Sequence, residues 1–285
     1  MVRVLTHRGP DDEGHVELPG VGLAMRRLAI VDVVGGHQPF TSEDGDIYLV
    51  ANGEIYNHLE LRKSLIAHGH HFRSESDVEV IVHAYEQWGT SFLEHIHGMF
   101  AIALWDSKQR VLLAARDRAG EKPLYYAENG STLIFASEIK GILASGMVDR
   151  DIDLESLDQF LTYEYVITPR TIFSKIRRLP AAHYLLYQDG QLEICRYWDA
   201  AAVSQKNWKE AEAAEAVREV FGQAVKRQMM SDVPLGAFLS GGIDSSAIVA
   251  MMAEASGGVG STVNTFSMGF ADGSYNELPH ARTIA

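Results

Sequence analysis

The stretch that most constrains the fold is Pro234–Leu239, Ser240-Gly-Gly-Ile-Asp244-Ser-Ser246, then Ser245–Ala255 and Val263–Phe270. It reads as a short apolar strand, a turn with two adjacent glycines, a helix and a second strand. Strand, tight turn, helix and strand open a parallel α/β sheet. Ahead of them, Lys209–Met230 is rich in Ala and Glu, contains no Pro and only Gly222, and predicts a long helix. The first two hundred residues differ in kind. Val21–Asp32, Ile47–Ala51, Pro123–Ala127 and Thr132–Ser137 predict strands, and Met99–Asp106 with Arg110–Arg116 predicts a hairpin. His58–His68 and Asp77–Trp88 predict helices, the second with Val78, Ile81, Val82 and Tyr85 on one face and Ser76-Asp-Val-Glu79 as a capping box. Short strands with interspersed helices imply an α+β layered domain. The composition shifts at about 200–208, which divides the chain into residues 1–203 and 204–285.

Charge narrows the partners. Lys+Arg 25 against Asp+Glu 38 gives 25 − 38 = −13 over 285 residues. A chain this acidic lacks the clustered cations that displace counterions from nucleic acid, and it does not suit an anionic membrane surface. The longest apolar runs, such as Met99–Trp105 and Ala247–Ala253, fall far short of the ~20 residues that cross a bilayer. A single cysteine, Cys195, excludes an intrachain disulfide or a cysteine-based zinc cluster. A reducing cytoplasm is expected.

The glycine turn carries chemistry. Gly241 and Gly242 let the backbone approach a ligand closely, Ser240, Ser245 and Ser246 offer hydroxyls, and the next helix aims its free N–H groups at the same point. That is an anion cradle. Asp244 inside it makes sense only with a divalent cation between carboxylate and phosphate, so a Mg2+-nucleoside triphosphate is expected, with Asp244 reaching the Mg2+. A tight turn with Asp as helix cap and no ligand is the alternative. The string resembles the S-G-G-x-D-S signature of the ATP pyrophosphatase superfamily. It is not a Walker A loop, because the Lys and the four-residue gap between glycines are absent.

Four strings in the first domain point the same way: His7-Arg-Gly-Pro-Asp11, Arg27-Leu-Ala-Ile-Val-Asp32, Asn52-Gly-Glu-Ile-Tyr-Asn57 and Ser76-Asp77. Together they resemble the glutaminase domain of class II amidotransferases, an N-terminal-nucleophile hydrolase fold of antiparallel sheets and helices. Followed by S-G-G-x-D-S, their order resembles the glutamine-hydrolysing asparagine synthetase family. The resemblance implies glutamine, aspartate and ATP as small-molecule partners, and leaves a homodimer open. It places glutamine against Arg27, Leu28, Ala29, Ile30, Val31, Asn52, Gly53, Glu54 and Asp77. An Arg suits the amino acid's carboxylate, since its planar fork pairs with two oxygens. Read as a strand residue, Arg27 shares a face with Ala29 and Val31, while Arg26 points away. Glu54 and Asp77 suit the ammonium group, and the Asn52 amide with the Gly53 N–H forms the implied oxyanion hole. Singly these residues have plainer readings: an exposed strand pair for Arg26 and Arg27, a helix-start charge for Asp77, a hairpin turn for Asn52-Gly53. His7 and Asp11 suit structural hydrogen bonding. In the nucleotide site the resemblance puts Leu239 and Met268 beside adenine and ribose.

The family's nucleophile is a cysteine directly after the initiator Met, with H-R-G-P-D some thirty residues on. Here residue 2 is Val and the string starts at residue 7, so a truncated start is expected. A second acidic motif and most of the aspartate pocket would follow residue 285. With about 80 residues of synthetase domain, too few for a full core, this polypeptide is expected to be inactive in both half-reactions. Two rivals remain: a related amidotransferase acting on another carboxylate, and a non-catalytic binding module for glutamine or nucleotide. His68, His70 and His71 lack a nearby cysteine or acidic pattern and are expected not to hold a metal. Cys195 reads as packing or surface, and Arg177-Arg178 as a solvated turn.

Overall fold

The computed structural model describes residues 1–203, 205–257, 262–272 and 276–285. The chain forms two compact units, Met1–Val203 and Ser204–Ala285.

In the first unit, the 3-10 segment Val2–Arg8 precedes β1 (Asp12–Leu18), β2 (Val21–Arg27), β3 (Phe40–Thr41) and β4 (Ile47–Ile55). Helices α1 (His58–Ala67), α2 (Val80–Trp88) and α3 (Phe92–His95) lead to β5 (Gly98–Asp106) and β6 (Val111–Arg116). Then come β7 (Tyr125–Asn129), β8 (Thr132–Ala136), α4 (Ile139–Leu143), α5 (Leu154–Tyr163), β9 (Arg177–Arg178), β10 (His183–Gln188) and β11 (Gln191–Arg196). A six-stranded antiparallel sheet, ordered β11-β10-β6-β5-β4-β3, forms the centre. β1 and β2 form a hairpin, and β8-β7-β9 a three-stranded sheet.

Alternation along the central strands separates two cores. Leu49, Ala51, Ile55, Phe100, Ile102, Leu104, Leu113 and Ala115 pack with Leu61 and Leu65 of α1 and with α2. Their neighbours Val50, Ala101, Ala103, Leu112 and Ala114 face the other way, onto Leu23 of β2 and onto Leu124 and Tyr126. With both faces covered, the strands read as continuous apolar runs rather than alternating ones. The layered α+β architecture is therefore present, with helices on one face and hairpins on the other.

Several local expectations change. α2 starts at Val80, and Val80 to Tyr85 are all buried, so the helix is enclosed rather than one-sided. The capping box does not form: Glu79 accepts the N–H groups of Arg73 and Ser74 instead, because the chain before the helix folds back over it. β4 runs through Asn52-Gly53, which pair with Ala101 and Phe100, so there is no hairpin turn there. β2 ends at Arg27, and Ala29 and Val31 share no strand face with it. Arg177-Arg178 is no solvated turn, since both residues pair with β7 as β9.

The second unit has α6 (Glu210–Gln228), β12 (Gly236–Phe238), α7 (Ile243–Ala255), β13 (Asn264–Phe266) and α8 (Leu278–Ile284). β12 and β13 are parallel, with α7 as the crossover. Among its described residues the buried apolar side chains are Val225, Leu239, Met252 and Ala281, a thin core.

Candidate functional site

A cavity of about 500 Å³ opens on the hairpin side of the central sheet. Alternation puts Asn52 on the same face as Val50, and hence beside it. Arg27, Leu28, Ile30, Val31, Asn52, Gly53, Glu54 and Asp77 all line this cavity. Ala29 does not, and its N–H donates to the Asp11 carboxylate at 2.9 Å. Asp11 thus ties the loop after β2, as structural bonding requires, and His7 meets Glu138 at 2.9 Å.

Arg27 is 7% exposed and does more than wait for a carboxylate. Its Nη2 donates to the carbonyls of Val31 at 2.9 Å and Asp32 at 2.7 Å, and its Nη1 to Val33 at 3.2 Å. These bonds use three of the about five guanidinium donors, both hydrogens of Nη2 among them, and hold residues 31–33 around the side chain. Arg26, by contrast, pairs with Glu13 at 2.7 Å.

Asp32, the last residue of the Arg27 string, and Gln38, to which the sequence assigns no role, shape this part of the site. Asp32 accepts the Gly35 N–H at 2.7 Å and the Glu75 N–H at 2.8 Å, binding the Arg27 loop to the segment that carries Asp77. Gln38 acts as a strand partner for Ala51, accepting its N–H at 2.7 Å and donating to its carbonyl at 3.2 Å, one residue before Asn52. Gly36 is the tight point: a Cβ there would lie 2.2 Å from Arg27 Nη2 and 2.9 Å from the Asp32 carbonyl oxygen. Gly36→Ala is expected to cost about 1–3 kcal/mol and to weaken any carboxylate ligand of the cavity, as urea unfolding and calorimetry would read.

Part of the lining is acidic. Asp77 is 3% exposed and accepts the Ile55 N–H at 2.7 Å. Burial pushes its carboxyl up from the ordinary value, and that bond only partly offsets the effect. Glu54 is pushed up by burial and by the charge of Asp77, with Lys122 opposing. Lys122 also lines the cavity and was not foreseen. Two carboxyls whose ionised forms burial disfavours are the counterpart an ammonium group would stabilise. Gly53 has no room for a side chain, since a Cβ would sit 2.1 Å from the Met99 carbonyl oxygen. Cys195 lies on β11, outside the cavity lining; its Sγ donates to Glu193 at 3.2 Å, and burial with that carboxylate raises its thiol pKa.

In the second unit, Ser240 to Ser246 form a turn laced by its own hydroxyls. Ser240 Oγ and Ser245 Oγ are 3.0 Å apart, and the Gly242 N–H donates to Ser240 Oγ at 3.2 Å. Gly241 has φ +85°, and a Cβ there would meet the backbone of His280 at 2.5 Å. Gly242 and Asp244 are exposed at the start of α7. Ser246 Oγ is buried without a hydrogen-bond partner. An exposed glycine turn, an orphaned hydroxyl and a helix N-terminus together fit a polyphosphate. Met268 is 70% exposed, but the side chain of Leu239 is 1% exposed. Leu239 packs beneath the turn, and its N–H donates to the Phe266 carbonyl at 2.8 Å.

Residues 1–198 match the family model described as glutamine amidotransferase domain, and residues 216–285 match asparagine synthase. The chain is 42% identical over 256 residues to asparagine synthetase [glutamine-hydrolyzing] 3 of Bacillus subtilis, covering 89% of this chain and 42% of that protein. It is 38% identical over 253 residues to amidase chyE of Penicillium rubens, covering 87% and 37%. A solved glutamine phosphoribosylpyrophosphate amidotransferase from B. subtilis aligns over 81% of this chain and 48% of its own, with TM-score 0.42 and 17% identity. The chain thus spans less than half the length of these two curated relatives. Among the described residues no helix is long and apolar enough to cross a membrane. The matched span holds the cavity and its charged walls, and the chain belongs to the glutamine amidotransferase domain family.

Proposed function

We propose that this chain supplies the glutamine pocket and the nucleotide cradle of a glutamine-hydrolysing asparagine synthetase working in the cytoplasm. The observation that carries the reading is that Arg27, Asn52, Gly53, Glu54 and Asp77 line one cavity. Glutamine would enter with its carboxylate on the Arg27 side and its ammonium between Glu54 and Asp77. Its side-chain carbonyl would lie against the Asn52 amide and the Gly53 N–H, which stabilise the developing oxyanion. Hydrolysis yields glutamate and ammonia. In the second half-reaction the aspartate side-chain carboxylate attacks ATP, releasing pyrophosphate and forming β-aspartyl-AMP, and ammonia then displaces AMP to give asparagine. Ser240, Gly241, Gly242, Ser245 and Ser246 would hold the pyrophosphate moiety, and Asp244 would hold Mg2+, whose chemistry is to neutralise phosphate charge.

Because Cys195, the single cysteine, stands outside the cavity lining, binding rather than turnover is the direct test. Calorimetry of the whole chain with L-glutamine is expected to show saturable binding that D-glutamine does not reproduce. Mg2+-ATP should bind independently and be lost on Ser246→Trp. Absence of L-glutamine binding by a chain with intact circular dichroism would refute the first assignment; Mg2+-ATP affinity unchanged by Ser246→Trp would refute the second.

A further inference from the structure

Away from the cavity, four side chains from three separate segments converge. Glu43 stands in the turn between β3 and β4, His70 follows α1, and His83 and Glu86 lie on successive turns of one face of α2. One ligand atom from each falls within 4.8 Å of every other. His70 Nδ1 is 3.8 Å from Glu43 Oε1 and 3.7 Å from Glu86 Oε2. His83 Nδ1 is 3.5 Å from Glu43 Oε2 and 3.1 Å from Glu86 Oε2. A tetrahedral ion bound at about 2.0–2.1 Å sets neighbouring ligands about 3.3 Å apart; with either oxygen of Glu43 as the ligand, three of the six edges of such a site already lie within about 0.5 Å of that length.

Ring orientation is an independent observation. Both imidazoles turn Nδ1 into the cluster and Nε2 outward, each toward an oxygen acceptor. His70 Nε2 is 3.3 Å from Gln87 Oε1. His83, 1% exposed, has an Nε2 without a hydrogen-bond partner, aimed at Glu79 Oε1 3.8 Å away. Glu79 is fixed by the Arg73 N–H at 2.7 Å and the Ser74 hydroxyl at 2.5 Å. An imidazole that coordinates a metal through one nitrogen commonly donates from the other to a carboxylate or amide oxygen, which fixes its tautomer. The acidic member farthest in sequence is also anchored, since Glu43 Oε1 accepts the His71 N–H at 2.8 Å.

We propose that Glu43, His70, His83 and Glu86 form a structural site for a tetrahedral divalent ion, zinc by its chemistry. Two imidazoles and two carboxylates suit Zn2+ better than Mg2+ or Ca2+, which take oxygen ligands in larger number. Four protein ligands leave no open position, so the ion would clamp the β3–β4 turn and the end of α1 to α2. The site is independent of the glutamine reading.

The test uses the whole chain, stripped with chelator and titrated with zinc chloride. One equivalent should survive gel filtration, and a hundredfold excess over Kd should raise the melting temperature by about 5–10 °C. X-ray absorption should show two imidazole nitrogens and two carboxylate oxygens at about 2.0–2.2 Å. His70→Ala should weaken binding by roughly 100-fold or more, and Gln87→Leu by about 10–100-fold, while His68→Ala should leave it unchanged. Glu86→Gln gives a second reading of ligand loss should His70→Ala fold poorly. Retention of the bound equivalent in both His70→Ala and Glu86→Gln, or no melting shift with zinc, overturns the proposal.

Discussion

Asp117→Asn is expected to lower the stability of the first unit by about 3–5 kcal/mol, a shift of roughly 1–2 M in its urea midpoint. Asp117 is 1% exposed and stands just after β6. Its Oδ1 accepts the N–H groups of Ala119 at 3.1 Å and Glu121 at 2.9 Å. Its Oδ2 accepts those of Phe100 at 3.3 Å and Lys122 at 3.0 Å. A carboxylate can receive all four, because each oxygen takes two donors. An asparagine offers one oxygen and one NH2, so either orientation sets two backbone N–H groups against a donor. The shape changes little; the cost is unsatisfied buried polarity. The same loop carries Lys122 to the cavity, where it opposes the upward pull on Glu54. Glutamine affinity should therefore fall along with stability. A urea midpoint within about 0.3 M of the parent protein would show that this network does not hold the loop.

Asp117 also shows what a linear sequence withholds. No periodicity separates it from a surface carboxylate; its importance arises only when β5 and the 118–122 loop close around it. The central strands were legible for the opposite reason. Ile47–Ala51, Met99–Trp105 and Val111–Ala115 are continuous apolar runs because helices cover one face of the sheet and hairpins the other. The Ser240–Ser246 turn was legible because strand, glycines and helix N-terminus adjoin one another in sequence.

The cavity lies between these extremes. Local strings named most of its charged lining, but not the reasons those residues sit where they do. The sequence pattern carries the strand past Arg27 to Asp32. Instead the strand stops there, because its guanidinium gathers the carbonyls of Val31, Asp32 and Val33 into a loop. Gly36 then appears as clearance for that guanidinium rather than as a generic turn residue. In sequence His70 neighbours His68 and His71, whereas in space its neighbours are Glu43, His83 and Glu86. Each departure has one origin: the decisive partner is tens of residues away or is a backbone group, which sequence pattern does not mark.

Asp77→Asn separates stability from binding, and the two should move in opposite directions. Burial lifts the Asp77 carboxyl above the ordinary value, so the folded protein keeps this proton to higher pH than the unfolded chain does. Its contribution to stability is thus fully present below the unfolded pKa and is lost as pH rises through the folded one. Wherever it is ionised, the buried group works against folding. Asparagine removes that charge, and its carbonyl oxygen can still accept the Ile55 N–H that Asp77 holds at 2.7 Å. The variant should be as stable as the parent at pH 7, or more stable by up to about 1–2 kcal/mol, the exchange expected when a functional group is neutralised. Ligand binding should suffer. A glutamine ammonium facing Glu54 and Asp77 loses one desolvated partner, which typically costs ~2–5 kcal/mol, or about 30- to 4000-fold in affinity. At pH values where the carboxyls are still partly protonated, the parent should release protons on binding glutamine as they ionise, and it should bind more weakly as pH falls through that range. In the variant both effects should shrink. Calorimetry in two buffers of different ionisation enthalpy reads the proton count, and urea unfolding reads the stability. Glutamine affinity within about threefold of the parent would place the ammonium away from Asp77, because a buried charge pair cannot be cut at so small a cost.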